Sequence, residues 1–246
     1  MYIGFNLGCD VPTVDLDSIK KYDYQGNLYF LYENNIYYPK EVNLNEFIGE
    51  ELANKMSLST VSYKLFKNIY GEIFIASRNF RKSNYTYYHP SDFEEQFPIY
   101  NHLESWKSIC QDKENYFFFL EAIFKLFSID IYMKQNDRWN SNIQIEKSDT
   151  GYVNLAPVYD YSEASWYDSI CYPNTLHSFY NEYDYEVFFN KYPNFLEFLK
   201  TIKKVEMSKI IENIQASKNI VIDSQIKDIY LRREEESQKK LEKIIK

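Results

Sequence analysis

Three residues in the middle of the chain have the types and spacing that phosphoryl transfer needs. Asp137 is followed five positions later by Asn142, then by an alternating run Ile143-Gln144-Ile145-Glu146, a turn at Lys147 to Gly151, a second run and a further carboxylate, Asp160. Moving a γ-phosphoryl group onto a hydroxyl takes a carboxylate that orients the hydroxyl and accepts its proton, and oxygen ligands for the Mg²⁺ that bridges the phosphates. Carboxylate and amide oxygens suit Mg²⁺, which keeps several of its waters and takes one or two protein ligands. A hairpin would return Asp160 to the side of Asn142. Asp137 is then the candidate base, and Asn142 and Asp160 the candidate metal ligands. Singly, each is an ordinary turn residue; their order and the strings around them set them apart.

Those strings are an apolar segment, Tyr116 to Met133, ahead of Asp137, and Leu155-Ala156-Pro157-Val158-Tyr159-Asp160 behind it. Protein kinases space their base Asp and metal Asn in the same way. The stretch resembles the HipA-like serine/threonine kinases, which include small members related to bacterial toxin kinases, with the match carried by Asp137, Asn142 and Leu155 to Asp160. The resemblance implies an α+β, two-lobed protein-kinase-like fold of the HipA type, with a small β-rich N-lobe over residues 1–82 and a helical C-lobe over 83–246. It implies ATP and Mg²⁺ as cofactors, transfer to Ser or Thr of a protein, and a protein substrate or protein regulator as partner, with a toxin–antitoxin setting among the possibilities.

Carried along the chain, the resemblance assigns further positions. Asn45-Glu46 opens the first N-lobe helix, with Glu46 orienting a phosphate-binding cation. Ala76, Ser77 and Asn79 fall in the connection between lobes, where backbone groups take the adenine edge. Three positions depart from the pattern. Tyr32 stands where the family carries the strand lysine that meets the α- and β-phosphates, Thr13 replaces a lysine after Pro12, and Trp139 replaces a histidine. Lys40, Lys20 and Lys21 are the other cations within reach. The departures define a rival expectation, a kinase-shaped protein that has lost catalysis and regulates a partner kinase or toxin system.

The elements that must position these residues follow from periodicity. Asn27 to Glu33 and Ile36 to Tyr38 read as strands around Asn34-Asn35, Asn45 to Ser57 as a helix, and Val61 to Phe66 and Glu72 to Ala76 as a second strand pair. Ser83 to Glu114 reads as a loop with a short helix near Leu103 to Cys110, and Asn115 to Met133 as a buried helix supporting the catalytic loop. Tyr183 to Phe189, Pro193 to Lys203, Glu206 to Ala216 and Ser224 to Ile245 form a helical remainder. Ser162, Ser165 and Ser169 follow Asp160 as candidate phosphorylation sites.

Composition excludes other classes. The net charge of −8, with both signs mixed along the chain, offers no basic stripe, so nucleic acid is not expected as a direct ligand. Three widely spaced cysteines suggest no disulfide framework, and three histidines show no metal-ligand spacing. The most apolar segment is interrupted by Glu121, Lys125 and Asp130, so no membrane association is expected and the cytoplasm is the expected location.

Overall fold

The computed structural model describes residues 5–7, 11–19, 21–23, 26–89, 103, 105–135, 142–161 and 189–246. Its N-terminal part is a curled six-stranded sheet of β2 (Thr13–Val14), β3 (Lys21–Tyr22), β4 (Leu28–Tyr32), β5 (Asn35–Lys40), β6 (Tyr63–Asn68) and β7 (Ile73–Arg78), in the order β2-β6-β7-β5-β4-β3. The β4–β5 hairpin turns at Glu33 and Asn34, both with positive φ, so the loop sits one residue earlier than the sequence suggests. A one-turn helix, α1 (Leu16–Ile19), joins β2 to β3.

Period two divides this sheet into two faces. Phe30, Tyr37, Phe66 and Ala76 share the outer face, where with Val14 they close a small separate core against which Tyr32 and Phe74 pack. The register pairs Tyr38 and Tyr63 with Ser77, and Lys40 and Leu65 with Ile75, so these residues share the inner face.

Helix α2 (Leu44–Lys55) packs on that inner face. Asn43 caps it by accepting from Asn45 N. Its burial is almost continuous along the first nine residues and includes Asn45, Glu46 and Glu50, polar groups that a sheet-packing helix ordinarily turns outward. Gly49 lies mid-helix, where glycine costs about 1 kcal/mol relative to alanine.

The C-terminal part is built on α3 (Lys113–Met133), whose side chains are buried nearly all round from Leu126 to Met133. Asp112 caps its start, and Lys134, at φ 52°, ends it in the left-handed conformation. Asn115 near its N-terminus bonds both the N–H and the C=O of Val153, fastening strand β10 (Val153–Leu155) to the helix. That strand pairs with β9 (Ile145–Ser148), which pairs in turn with β8 (Tyr85–Tyr88). Strand β8 lies in a stretch that reads as loop from sequence; its partner β9 is remote in sequence, and Tyr-Thr-Tyr-Tyr alone does not announce it. The short helix expected near Leu103 is a single 3-10 turn, Ser105–Ser108.

Helices α4 (Phe195–Lys203) and α6 (Ser224–Ile245) pack on α3, and α5 (Met207–Lys218) packs on α2 and α6. Between α5 and α6 runs β11 (Ile220–Ile222), three residues long and paired antiparallel with β1 (Phe5–Leu7). Two of these helices also hold α2. Lys218 at the end of α5 reaches Glu50 Oε2 at 2.9 Å and Tyr63 O at 2.8 Å, and Tyr230 of α6 donates to Asn45 Oδ1 at 2.8 Å. The expected helix over Tyr183 to Phe189 lies almost wholly outside the described residues. No helix among them is long and apolar enough to cross a membrane.

Candidate functional site

A cleft of about 550 Å³ opens between the inner face of the large sheet and the segment that follows β10. At its inner end Lys40, the last residue of β5, extends its ammonium between two carboxylates. Nζ lies 2.7 Å from Glu46 Oε1 and 2.7 Å from Asp160 Oδ1. Burial pulls the Lys40 pKa down, but the two carboxylates outweigh it and the value is raised, so the side chain is a cation at neutral pH.

Glu46 is 0 % exposed and stands behind Lys40. While Oε1 holds the ammonium, Oε2 accepts from the backbone N–H of Tyr161 at 2.9 Å. A single α2 carboxylate therefore joins β5 to the Asp160–Tyr161 segment. Tyr63 of β6 completes the cluster. Burial, followed by the Glu46 carboxylate, raises its phenol well above the ordinary value, so the ring stays protonated with its oxygen 3.4 Å from Asp160 N.

Asp160 has φ +64°, a left-handed conformation that non-glycine residues adopt uncommonly. Its carbonyl accepts from Gln135 Nε2 at 2.9 Å, just beyond the end of α3. The backbone on either side of its Cα is thus bonded to Tyr63, Gln135 and Glu46. Upstream, Val158 N bonds Ser59 O and Val61 N bonds Val158 O, tying the approach to Asp160 onto the strand leading into β6.

The hairpin expected from the sequence is present. Ile145 faces Leu155, and Ala156 N extends the pairing to Gln144 O, so Asn142 and Asp160 both emerge from its open end. Asn142 is half-buried. Asp137, Trp139, Ser162, Ser165 and Ser169 lie outside the described residues. Among the described residues no group of three or more His, Cys, Asp or Glu side chains forms a metal site. A two-ligand set of one carboxylate and one amide falls below that threshold and matches the sparse protein ligation of Mg²⁺.

Of the expected connection residues, Ser77 and Asn79 line the cleft. Ala76 instead turns its methyl into the outer-face core. Beyond Asn79 the wall is aromatic, with Phe80 stacked on Tyr159 at 6.0 Å between centroids and 28° between planes. His89 and Gln144 lie nearby. Ile143 O can only accept, so His89 Nδ1, 3.1 Å away, carries the proton, and in the neutral ring Nε2 accepts from Gln144 Nε2 at 3.3 Å. Asp23 and Asn27, between β3 and β4, also line the cleft, with Asp23 Oδ1 accepting from Asn27 N at 2.9 Å and Oδ2 accepting from the Tyr38 hydroxyl at 3.4 Å.

One expectation needs correcting. Tyr32 does not stand at the cation position. It is on the outer face, its ring against Phe66 at 5.1 Å and under the Lys64 ammonium at 4.5 Å. The lysine that meets Glu46 in the cleft is Lys40, one strand later, and alternation with Tyr38 on β5 is the signal that could have found it. Lys21 lies exposed on the short β3, and Lys20 is outside the described residues. Gly49, Tyr63 and Tyr161 carried no recognisable signal, because each matters through a contact distant in sequence.

No family profile matches the chain, and no curated protein matches it. Its fold does match solved structures. The proinflammatory kinase CtkA of Helicobacter pylori superposes with a TM-score of 0.63 at 14% identity, over 95% of this chain and 97% of that one. HipA of Shewanella oneidensis MR-1, solved with HipB and its operator DNA, superposes with a TM-score of 0.57 at 12% identity, over 95% of this chain and 66% of that one. With identities this low the likeness speaks to architecture, and on architecture it is plain: the chain has a HipA-like kinase fold.

Proposed function

We propose that the protein transfers the γ-phosphoryl group of Mg-ATP to a Ser or Thr hydroxyl of another protein. The observation that carries this reading is Lys40, held at the inner end of the cleft 2.7 Å from both Glu46 and Asp160. A cation placed by a buried carboxylate, beside a second carboxylate at the cleft surface, is what binding a triphosphate with its metal requires.

In this reading Lys40 meets the α- and β-phosphates and Glu46 fixes its direction. Asn142 and Asp160 would hold Mg²⁺, which when bound supplies positive charge against the phosphate oxygens. Asp160 is suited to the task by its side chain, 25% exposed, and by a backbone bonded on both sides. Asp137 would orient the acceptor hydroxyl and take its proton. The stacked Phe80 and Tyr159 offer an apolar wall for a planar base beside Ser77 and Asn79. A regulator without catalysis was expected on the ground of Tyr32 and Thr13; the presence of Lys40 in the cleft favours catalysis over it. Protein substrates and protein regulators both remain open as partners; HipB and DNA belong to the HipA structure alone.

The test is a titration with ATP, with and without Mg²⁺, on the wild-type protein and Asp160→Ala. Saturable binding that needs Mg²⁺ and is lost in the variant is expected. No binding at millimolar ATP would overturn the reading.

A further inference from the structure

The backbone of Asp160 is bonded to three elements, yet none of those bonds explains the glycine in the middle of α2. The explanation lies on its surface. A Cβ built on Gly49 would collide with the Tyr161 ring, with Cγ, Cδ1 and Cδ2 all within hard-contact range. Tyr161 is 0 % exposed and its ring fills this gap, while its own N–H bonds Glu46 about one turn earlier on the same helix.

We propose that Gly49 is a positioning residue: the gap it leaves in α2 seats the Tyr161 ring and so fixes the adjoining Asp160 against Lys40. The inference rests on the phosphoryl-transfer reading only for its consequence in catalysis. The atoms that would collide are the root of the ring, not its far end. Rotating the ring about its own axis brings no relief, and the ring is fully buried, so Tyr161 and α2 must move apart. That movement pulls on the N–H held by Glu46 and on the left-handed backbone of Asp160 immediately before it. Lys40 would then lose one of its two carboxylates. A glycine inside a helix costs stability relative to alanine, and the Tyr161 ring supplies a packing reason for this one.

The experiment is a double-mutant cycle of Gly49→Ala and Tyr161→Ala, read by the acylation rate of Lys40 with an amine-directed reagent and by affinity for Mg-ATP. Lys40 held between two carboxylates reacts slowly, and release of Asp160 speeds it. Gly49→Ala alone should raise the Lys40 rate about tenfold and weaken Mg-ATP by a similar factor, while the same change in the Tyr161→Ala background does little further. Equal effects of Gly49→Ala in both backgrounds would show that the residue acts through the helix itself and would overturn the inference. If Gly49→Ala does not fold, Tyr161→Ala alone must still speed Lys40; an unchanged rate there also overturns it. A wild type that fails to bind Mg-ATP while the Lys40 pattern holds would remove the phosphoryl-transfer reading and leave the seating of Asp160 by Gly49 supported.

Discussion

Lys40 Nζ and Asp160 Oδ1 stand 2.7 Å apart although 120 positions separate them in the chain. One residue ends a strand of the large sheet and the other follows a hairpin of the smaller one; Glu46 of α2, which bonds both Lys40 and Tyr161 N, and the pairing of Val158 with Ser59 and Val61 bring them together. Lys40→Met should therefore do two things. It should weaken ATP at least tenfold, and it should destabilise the fold by up to about 3 kcal/mol, because Glu46 is left buried with one partner fewer. Adding Glu46→Gln should restore stability in urea unfolding without restoring ATP affinity. Full recovery of both would show that Lys40 serves packing alone.

Tyr32→Phe provides the contrast. The ring belongs to the outer-face core and the hydroxyl takes no part in the cleft, so ATP affinity should stay within about twofold of wild type, well under the tenfold that 1.4 kcal/mol represents. A larger loss, seen in the same titration, would return Tyr32 to the site.

Glu50 lies one turn beyond Glu46 and is met by Ser62 Oγ, Tyr63 N and Lys218. Lys218→Ala leaves that buried carboxylate without its cation and should cost about 3 kcal/mol in urea unfolding. Lys218→Ala combined with Glu50→Gln should cost less than Lys218→Ala alone. A neutral Lys218→Ala would show that the hydrogen bonds suffice for Glu50.

Alkaline pH probes the same cluster. The folded pKa of Lys40 is raised above its ordinary 10.5, so its contribution is complete below that value and is lost as pH climbs through the folded one. Tyr63, raised above 10.0, keeps its proton in the folded protein while the unfolded chain gives it up, which lowers stability over an adjoining range. The free energy of unfolding should thus fall from about pH 10 upward. Lys40→Met and Tyr63→Phe should each flatten part of that fall, and curves parallel to wild type in both variants would contradict the assignment.

Much of this arrangement was legible before any coordinates. The hairpin between Asn142 and Asp160, helix α2 and the long α3 all carry local patterns: alternation, an apolar helical period, and a continuous apolar stretch. What escaped was set by pairing. Tyr32 and Lys40 are both at strand ends, and which one faces the cleft depends on the side of the sheet that α2 covers, a fact held in the register of β5 with β7. Strands β8 and β11 escaped because short segments acquire strand geometry only from a distant partner. Glycine at 49 is a single letter whose meaning is the ring of Tyr161.

The pairing of β1 with β11 bears on how the molecule comes to be assembled. Ribosomes deliver Phe5–Leu7 long before Ile220–Ile222. Until the later strand emerges, the earlier one has no edge to join, and Lys218, next to β11, is also missing from Glu50. Long-range closure of this kind slows folding and exposes unfinished surfaces in the meantime. The large sheet is therefore made before the segments that secure it, and a nascent chain halted in the C-terminal helices would carry that sheet with α2 still unfastened from Lys218.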